Sequence, residues 1–285
     1  MEPQIFDYSE CVQDHCPNTL YMSLNRTPFF QRPGWCPYCK TSAESKYKES
    51  YCESPEDDSI YHDPCLDQYY YLHVWICPTC GWWDMHYAEN SGHDSIDPSM
   101  GSESLFHGVL RTFRVSDLKV PVDVLRRALE SNPNILFHIH HRKMEELVES
   151  IFSDFYPNCD VAVCGKSGDG GIDLILVRSD TPIAIQVKRR TSPTSVERVQ
   201  VVREFLGACL LGEFRHGIFV STADHFTNGK TGAKAAARRA KEHKLVHELE
   251  LIDRGQFLDI TRAASAKPIE PWIKYVPSAF QERMK

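Results

Sequence analysis

The sequence predicts an α/β protein in which a mixed sheet flanked by helices follows a small cysteine-paired module. Three observations carry this. From about residue 120 to residue 262, short β-like runs alternate with amphipathic helical patterns. Eight of the eleven cysteines lie before residue 81, four of them in two C-x2-C pairs. Charge divides the sequence at the same place: residues 1–105 hold 5 Lys/Arg against 17 Asp/Glu, a net of −12, and residues 106–285 hold 27 against 22, a net of +5.

A protein of 285 residues, with 42% apolar and 25% charged residues, is able to bury one large core or two smaller ones. No run of some 18 apolar residues is present, so no transmembrane helix and no membrane partner is expected. The N-terminus MEPQIFDYSECVQDHC has neither a basic nor an apolar leader segment, which points to a cytoplasmic address. In a protein of that kind, C-x2-C spacing points to metal rather than to disulfides. Only the basic half could readily meet a polyanion.

The elements follow in order. Residues 30–88 are rich in Cys, Trp and Tyr and look too polar to form a core unaided. AENSGHDSIDPSMGSES (88–104) is Gly-, Ser-, Asp- and Pro-rich without periodicity and reads as linker. The expected division is a cysteine-rich N-terminal domain (1–88), a linker (89–119), an α/β domain (120–262) and a C-terminal extension (263–285). VPVDVLRRALESNP (120–133) reads as a short helix closed by Asn-Pro. In HRKMEELVESIFSDFYP, Met144, Leu147, Val148, Ile151, Phe152 and Phe155 share one helical face. Three β-like runs follow: CDVAVC (159–164), GIDLILVR (171–178) and PIAIQVK (182–188). Then come a helix, SVERVQVVREFLGACLLGE, the apolar run HGIFVST (216–222), a basic helix over 230–243 and the closing LVHELELID.

Two features of this order are chemical. SDT makes a hairpin-length connection between the runs 171–178 and 182–188. On the second run Ala184, Gln186 and Lys188 share one face, and the hairpin brings Asp173 beside its far end. A hard divalent cation such as Mg²⁺ takes oxygen ligands, which Asp173 and the Gln186 amide can supply. Lys188 can orient or help deprotonate an attacking water and offset charge on a phosphorane. The alternative is that Gln186 and Lys188 are solvated strand-end residues and Asp173 caps a turn.

GKSGDGGIDLILVRSDTPIAIQVKRR resembles the Mrr-like branch of the PD-(D/E)xK restriction nucleases, in which a GGxD strand precedes a QxK strand. The resemblance extends over about 120–262, including MEELV on the helix before and GIFVST…FT after. It implies a restriction-endonuclease-like αβββαβ core with Asp173 as the metal aspartate, Gln186 in the usual carboxylate slot and Lys188 as the catalytic lysine. It also implies a glutamate from the first core helix. Of Glu145, Glu146 and Glu149, Glu145 borders the apolar face and matches the family position, whereas Glu146 lies opposite. Metal-dependent cleavage of double-stranded DNA with Mg²⁺ or Mn²⁺, in restriction or anti-phage defence, is the activity the resemblance implies.

The run GKSGDGG (165–171) lacks the G-K-[ST] ending of a phosphate loop before a helix and suits a close backbone approach to DNA instead. Lys230, Lys234, Arg238 and Lys241 fall on one helical face, which with Arg189 and Arg190 offers phosphate contacts. Cys36, Cys39, Cys77 and Cys80, in the knuckles CPYC and CPTC, would make a tetrathiolate Zn²⁺ site of zinc-ribbon type. The knuckles lie farther apart than usual, so an acidic insertion (about 41–68) is expected between them. Cys11, Cys16, Cys52 and Cys65 have no assignment, and Cys159, Cys164 and Cys209 read as buried core thiols.

Two other functions compete with the nuclease: a catalytically weak nucleic-acid sensor, and a zinc-ribbon adaptor that docks partners. Partners other than DNA would be a second copy of the protein or a protein of a defence system. An intact Asp-Gln-Lys set with a helix glutamate favours the enzyme, because a pure binder need not keep all four.

Overall fold

The computed structural model describes residues 2–17, 32–54, 67–91, 101–164, 171–178, 181–264 and 270–284. The glycine-rich stretch 165–170, residues 92–100 of the expected linker, Cys65 and the side chain of Cys16 lie outside the described residues. The protein forms two compact units: Phe6–Thr112 with Ile269–Lys285, and Met1–Ile5 with Phe113–Pro268.

The first unit is built on β1 (Gln4–Pro17), β2 (Glu44–Glu53), β3 (Gln68–Ile76), β4 (Trp83–Ser91) and β5 (Gly101–Arg114). They form one sheet in the order β1-β5-β4-β3-β2, in which β2 to β3, β3 to β4 and β4 to β5 pair antiparallel. Alternation on β3 and β4 sends Leu72, Val74, Trp83 and Met85 to one buried face. Two expectations are corrected here. Residues 101–114 are not linker but the strand β5, whose Phe106 joins this core. Residues 270–284 are not a mere extension: with a short helix (Ser278–Gln281) they add Trp272, Val276 and Phe280 to the same core. The region thus owns a core, supplied in part by residues distant in sequence. Tyr51 Oη donates to the Ala279 carbonyl at 2.8 Å and Tyr275 Oη to that of Ser9 at 2.9 Å, tying the C-terminal segment down.

The second unit is a mixed sheet between two helical layers. Its main strands are β6 (Asp160–Val163), β7 (Leu174–Arg178), β8 (Thr181–Lys188), β10 (His216–Ser221) and β12 (Glu248–Ile252), in the order β12-β10-β8-β7-β6. β6, β7 and β8 are antiparallel neighbours, whereas β8, β10 and β12 are parallel. Pro182, which has no N–H for a ladder, sits where β8 pairs only with β7, because the register with β10 starts at Ile183↔His216. On one face α1 (Val122–Ser131), α2 (His141–Phe155) and α5 (Arg254–Ala264) cover Leu174, Leu176, Ile185, Ile218 and Val220. On the other, α3 (Val199–Leu211) and α4 (Ala233–Glu242) cover Ala184, Phe219 and Leu249.

The helix α2 buries Met144, Leu147, Val148, Ile151 and Phe152 completely, as the periodicity predicts, but Phe155 in its last turn is exposed. Residues 196–197 do not begin a helix. They form the short strand β9 (Val196–Glu197), paired with β11 (His225–Phe226). The basic helix starts at Ala233, so Lys230 belongs to the preceding turn. Helix α5 extends the unit beyond the elements that the sequence pattern predicts; its Phe257 is fully buried against the sheet.

Candidate active site

Strand β8 crosses from core to solvent along one face: Ala184 is buried, Gln186 half-buried and Lys188 exposed. The other face carries Ile183, Ile185 and Val187 into the core beneath α2. This alternation leaves the far end of β8 as a rim where polar groups meet water without burial cost. Asp173 stands one residue before β7, whose first residue Leu174 pairs with Ile185, so it lies at the end of β8 that carries Gln186 and Lys188.

Its backbone and side chain are both held. The Asp173 N–H donates to the Ile185 carbonyl at 2.9 Å, and Asp173 Oδ2 accepts the Val187 N–H at 2.7 Å. Gly171 approaches from the same side with φ +92°, and a Cβ there would lie 2.9 Å from Gln186 Nε2. The glycine is required twice over, by its left-handed backbone and by the room the Gln186 amide needs. The sequence suggests a DNA contact for this glycine; the structure gives it the neighbouring glutamine.

Lys188 lies at the end of β8 opposite Ser221, its carbonyl accepting the Thr222 N–H at 3.1 Å. Glu145 is half-buried on α2, the helix that packs against β6 and β8. Glu146 is not simply solvated: it accepts from the buried Lys143 at 2.5 Å. The histidines that open α2 carried no signal in the sequence pattern. His140 Nδ1 accepts the Arg142 N–H at 3.3 Å as a cap. Burial, then the neighbouring His140, Arg142 and Arg189, push the His141 pKa down.

The two arginines expected at the DNA are both engaged within the protein. Arg189 Nη1 donates to the Phe137 carbonyl at 2.8 Å, tying the β8 end to the segment leading into α2. Arg190 grips Glu197 in a fork, Nε to Oε1 and Nη2 to Oε2, both 2.6 Å. These bonds raise the Arg190 pKa further. The basic stripe is shorter than expected, because Lys230 lies outside the helix with its carbonyl on Arg239 Nη2 at 2.8 Å. Lys234, Arg238 and Lys241 remain exposed on α4. They share their face with carboxylates, Arg238 with Glu242 at 3.5 Å and Lys241 with Glu248 at 3.6 Å.

In the other unit Cys36, Cys39, Cys77 and Cys80 bring their sulfurs within 4.8 Å of one another, as the knuckle spacing predicts. Cys36 and Cys80 Sγ are 3.6 Å apart. Tetrahedral zinc with bonds of about 2.3 Å needs sulfurs about 3.8 Å apart, so the set fits such an ion. Among the described residues it is the one His/Cys/Asp/Glu group of three or more placed to hold a metal. Burial pushes the Cys36 thiol up to about 12. At Cys77 burial also opposes ionisation, but hydrogen bonds from the Cys80 and Thr79 N–H groups, the Thr41 hydroxyl and Cys36 together outweigh it and hold the thiol at about 6. Cys11, half-buried, and Cys52, exposed, stand apart from the cluster. Of the thiols expected in the core, Cys209 is buried, Cys159 half-buried and Cys164 exposed.

Residues 137–261 match the family model described as restriction endonuclease, the Mrr catalytic type. This stretch is an Mrr-like restriction-endonuclease domain. The match spans the segment from Phe137, whose carbonyl Arg189 holds, to Thr261 on α5. No curated protein matches the sequence. Within the Mrr-like domain the Asp173 carboxylate and the Gln186 amide are oxygen donors of the kind that a hard divalent metal takes, and Lys188 ends the strand that carries Gln186. No helix among the described residues is long and apolar enough to cross a membrane.

Proposed function

We propose that the protein is a metal-dependent endodeoxyribonuclease that hydrolyses phosphodiester bonds of double-stranded DNA, acting in restriction or anti-phage defence. The observation that carries this is the hydrogen bond from the Val187 N–H to the Asp173 carboxylate, which fastens Asp173 to the strand segment between Gln186 and Lys188, inside an Mrr-like domain. Asp173 and Gln186 would hold Mg²⁺ or Mn²⁺. The bound cation would supply a polarised phosphate oxygen and an activated water.

The protein's own residues do the rest. Asp173 is oriented by the Val187 N–H, so its carboxylate does not have to be ordered when the cation arrives. The exposed Lys188 ammonium orients the water and offsets negative charge that builds on the phosphorane. Glu145, half-buried on α2, completes the acidic set. Lys234, Arg238 and Lys241 supply sequence-independent phosphate contacts.

In the N-terminal unit Cys36, Cys39, Cys77 and Cys80 would hold one Zn²⁺, which would cross-link the loops before β2 and between β3 and β4. A tetrathiolate needs reduced thiols, which supports a cytoplasmic location. The test is conversion of supercoiled plasmid to nicked and linear forms with Mg²⁺ or Mn²⁺. Conversion that requires the cation supports the proposal; intact plasmid at every metal concentration refutes it.

A further inference from the structure

Beside the rim lies a charged group that DNA contact does not explain. Glu197 is fully buried on the short strand β9. Its carboxylate receives the Arg190 fork, and Ser221 Oγ donates to Oε1 at 2.7 Å. Ser221 itself is buried; its Oγ also lies 3.4 Å from the Lys188 carbonyl and accepts the Ala223 N–H at 3.1 Å. Just past the end of β10, Thr222 Oγ1 accepts the Arg190 N–H at 2.7 Å and donates to the Arg190 carbonyl at 3.2 Å. The backbone on either side of Arg189 is thus fastened to the end of β10, and the knot of the fastening is one buried carboxylate. A buried anion persists only where its partners satisfy it, and such a network admits one arrangement of the groups around it.

We propose that Glu197 is a positioning residue for the candidate catalytic Lys188, acting through Arg190 and Ser221. The proposal rests on the nuclease reading above and reassigns Arg190: its guanidinium serves the strand end and not a phosphate. The Lys188 side chain is long, flexible and exposed, so the placement of its ammonium depends on how firmly its backbone is held. The Glu197 network supplies that firmness in addition to the Arg189–Phe137 contact.

The test compares wild type with Glu197→Gln and Arg190→Lys, the first near-isosteric and the second charge-preserving. Single-turnover plasmid cleavage with Mg²⁺ and affinity for a short duplex without divalent metal are measured for each. Glu197→Gln removes the charge that the fork grips; Arg190→Lys keeps the positive charge but is unable to make the fork. The expected result is cleavage at least tenfold slower in both, with duplex affinity within twofold of wild type and an unchanged salt slope. If Arg190 were a phosphate contact, Arg190→Lys would cleave at close to the wild-type rate, which would overturn the proposal. Loss of affinity and rate in step, with a lower melting temperature, would also overturn it, by showing general structural damage. Should Glu197→Gln fail to fold, Arg190→Lys alone decides. A wild type that cuts nothing overturns the nuclease reading and this role with it; a wild type that cuts while both variants keep pace overturns the role only.

Discussion

Asp173 Oδ2 accepts the N–H of Val187, the residue between Gln186 and Lys188, at 2.7 Å. One hydrogen bond therefore ties the candidate metal aspartate to the strand that carries the other two polar groups. An asparagine can still accept that N–H through its amide oxygen but presents no charge to a cation. Asp173→Asn is expected to melt within a few degrees of wild type and to lose cleavage by about 10²-fold or more, as loss of a charged metal ligand does. Calorimetry and plasmid cleavage check this; a variant that cleaves at the wild-type rate would remove Asp173 from the site.

Gly171 is the second constraint on the rim. With φ +92° and only 2.9 Å from its would-be Cβ to Gln186 Nε2, Gly171→Ala adds backbone strain and displaces the amide. The expected cost is about 1–3 kcal/mol of stability, read by denaturant titration, together with cleavage slowed at least tenfold. Slowed cleavage without any loss of stability would mean that the loop relaxes around the new methyl group.

Much of this domain was legible because its signals are local. The 3.6-residue pattern from Met144 to Phe152 reports burial directly, and the apolar run Ile183–Val187 reports a strand whose middle, Ala184 and Ile185, is buried on both faces. That Asp173 comes to the end of β8 followed from one hairpin. The Arg190–Glu197–Ser221 network was not legible, because its members come from separate segments and arginines beside a lysine look like a solvated basic patch. The N-terminal unit misled for a similar reason: its core takes Trp272, Val276 and Phe280 from the far end of the sequence, and no local pattern announces that.

Zinc removal tests that unit. All five tryptophans, Trp35, Trp75, Trp82, Trp83 and Trp272, lie in it, so tryptophan fluorescence reports on it alone. Metal analysis should find one zinc per molecule, and strong chelation should shift the tryptophan emission to the red, because the sulfurs lose the ion that holds the knuckles together. The α/β unit should keep its far-ultraviolet signal. Protein purified without chelators that contains no zinc would contradict the assignment.

The α4 stripe can be weighed by salt. Replacing Lys234 and Arg238 with Ala should weaken binding about equally for every DNA sequence. It should also lower the log–log salt slope by about one unit per lost phosphate contact. Because Arg238 already faces Glu242 at 3.5 Å, its share should be the smaller of the two. Cleavage at saturating DNA should persist. An unchanged slope would leave the stripe a solvated face and put the DNA track elsewhere.

The central claim is that the β7–β8 rim cuts DNA, and Lys188 tests it most directly. Lys188 is exposed at the end of β8, so Lys188→Ala should leave melting behaviour unchanged. Single-turnover cleavage of supercoiled plasmid in Mg²⁺ is the measurement, run on wild type and Lys188→Ala at saturating enzyme. The account predicts cation-dependent cleavage by wild type and a rate lower by about 10²-fold or more in the variant. Equal rates for the two proteins would contradict it.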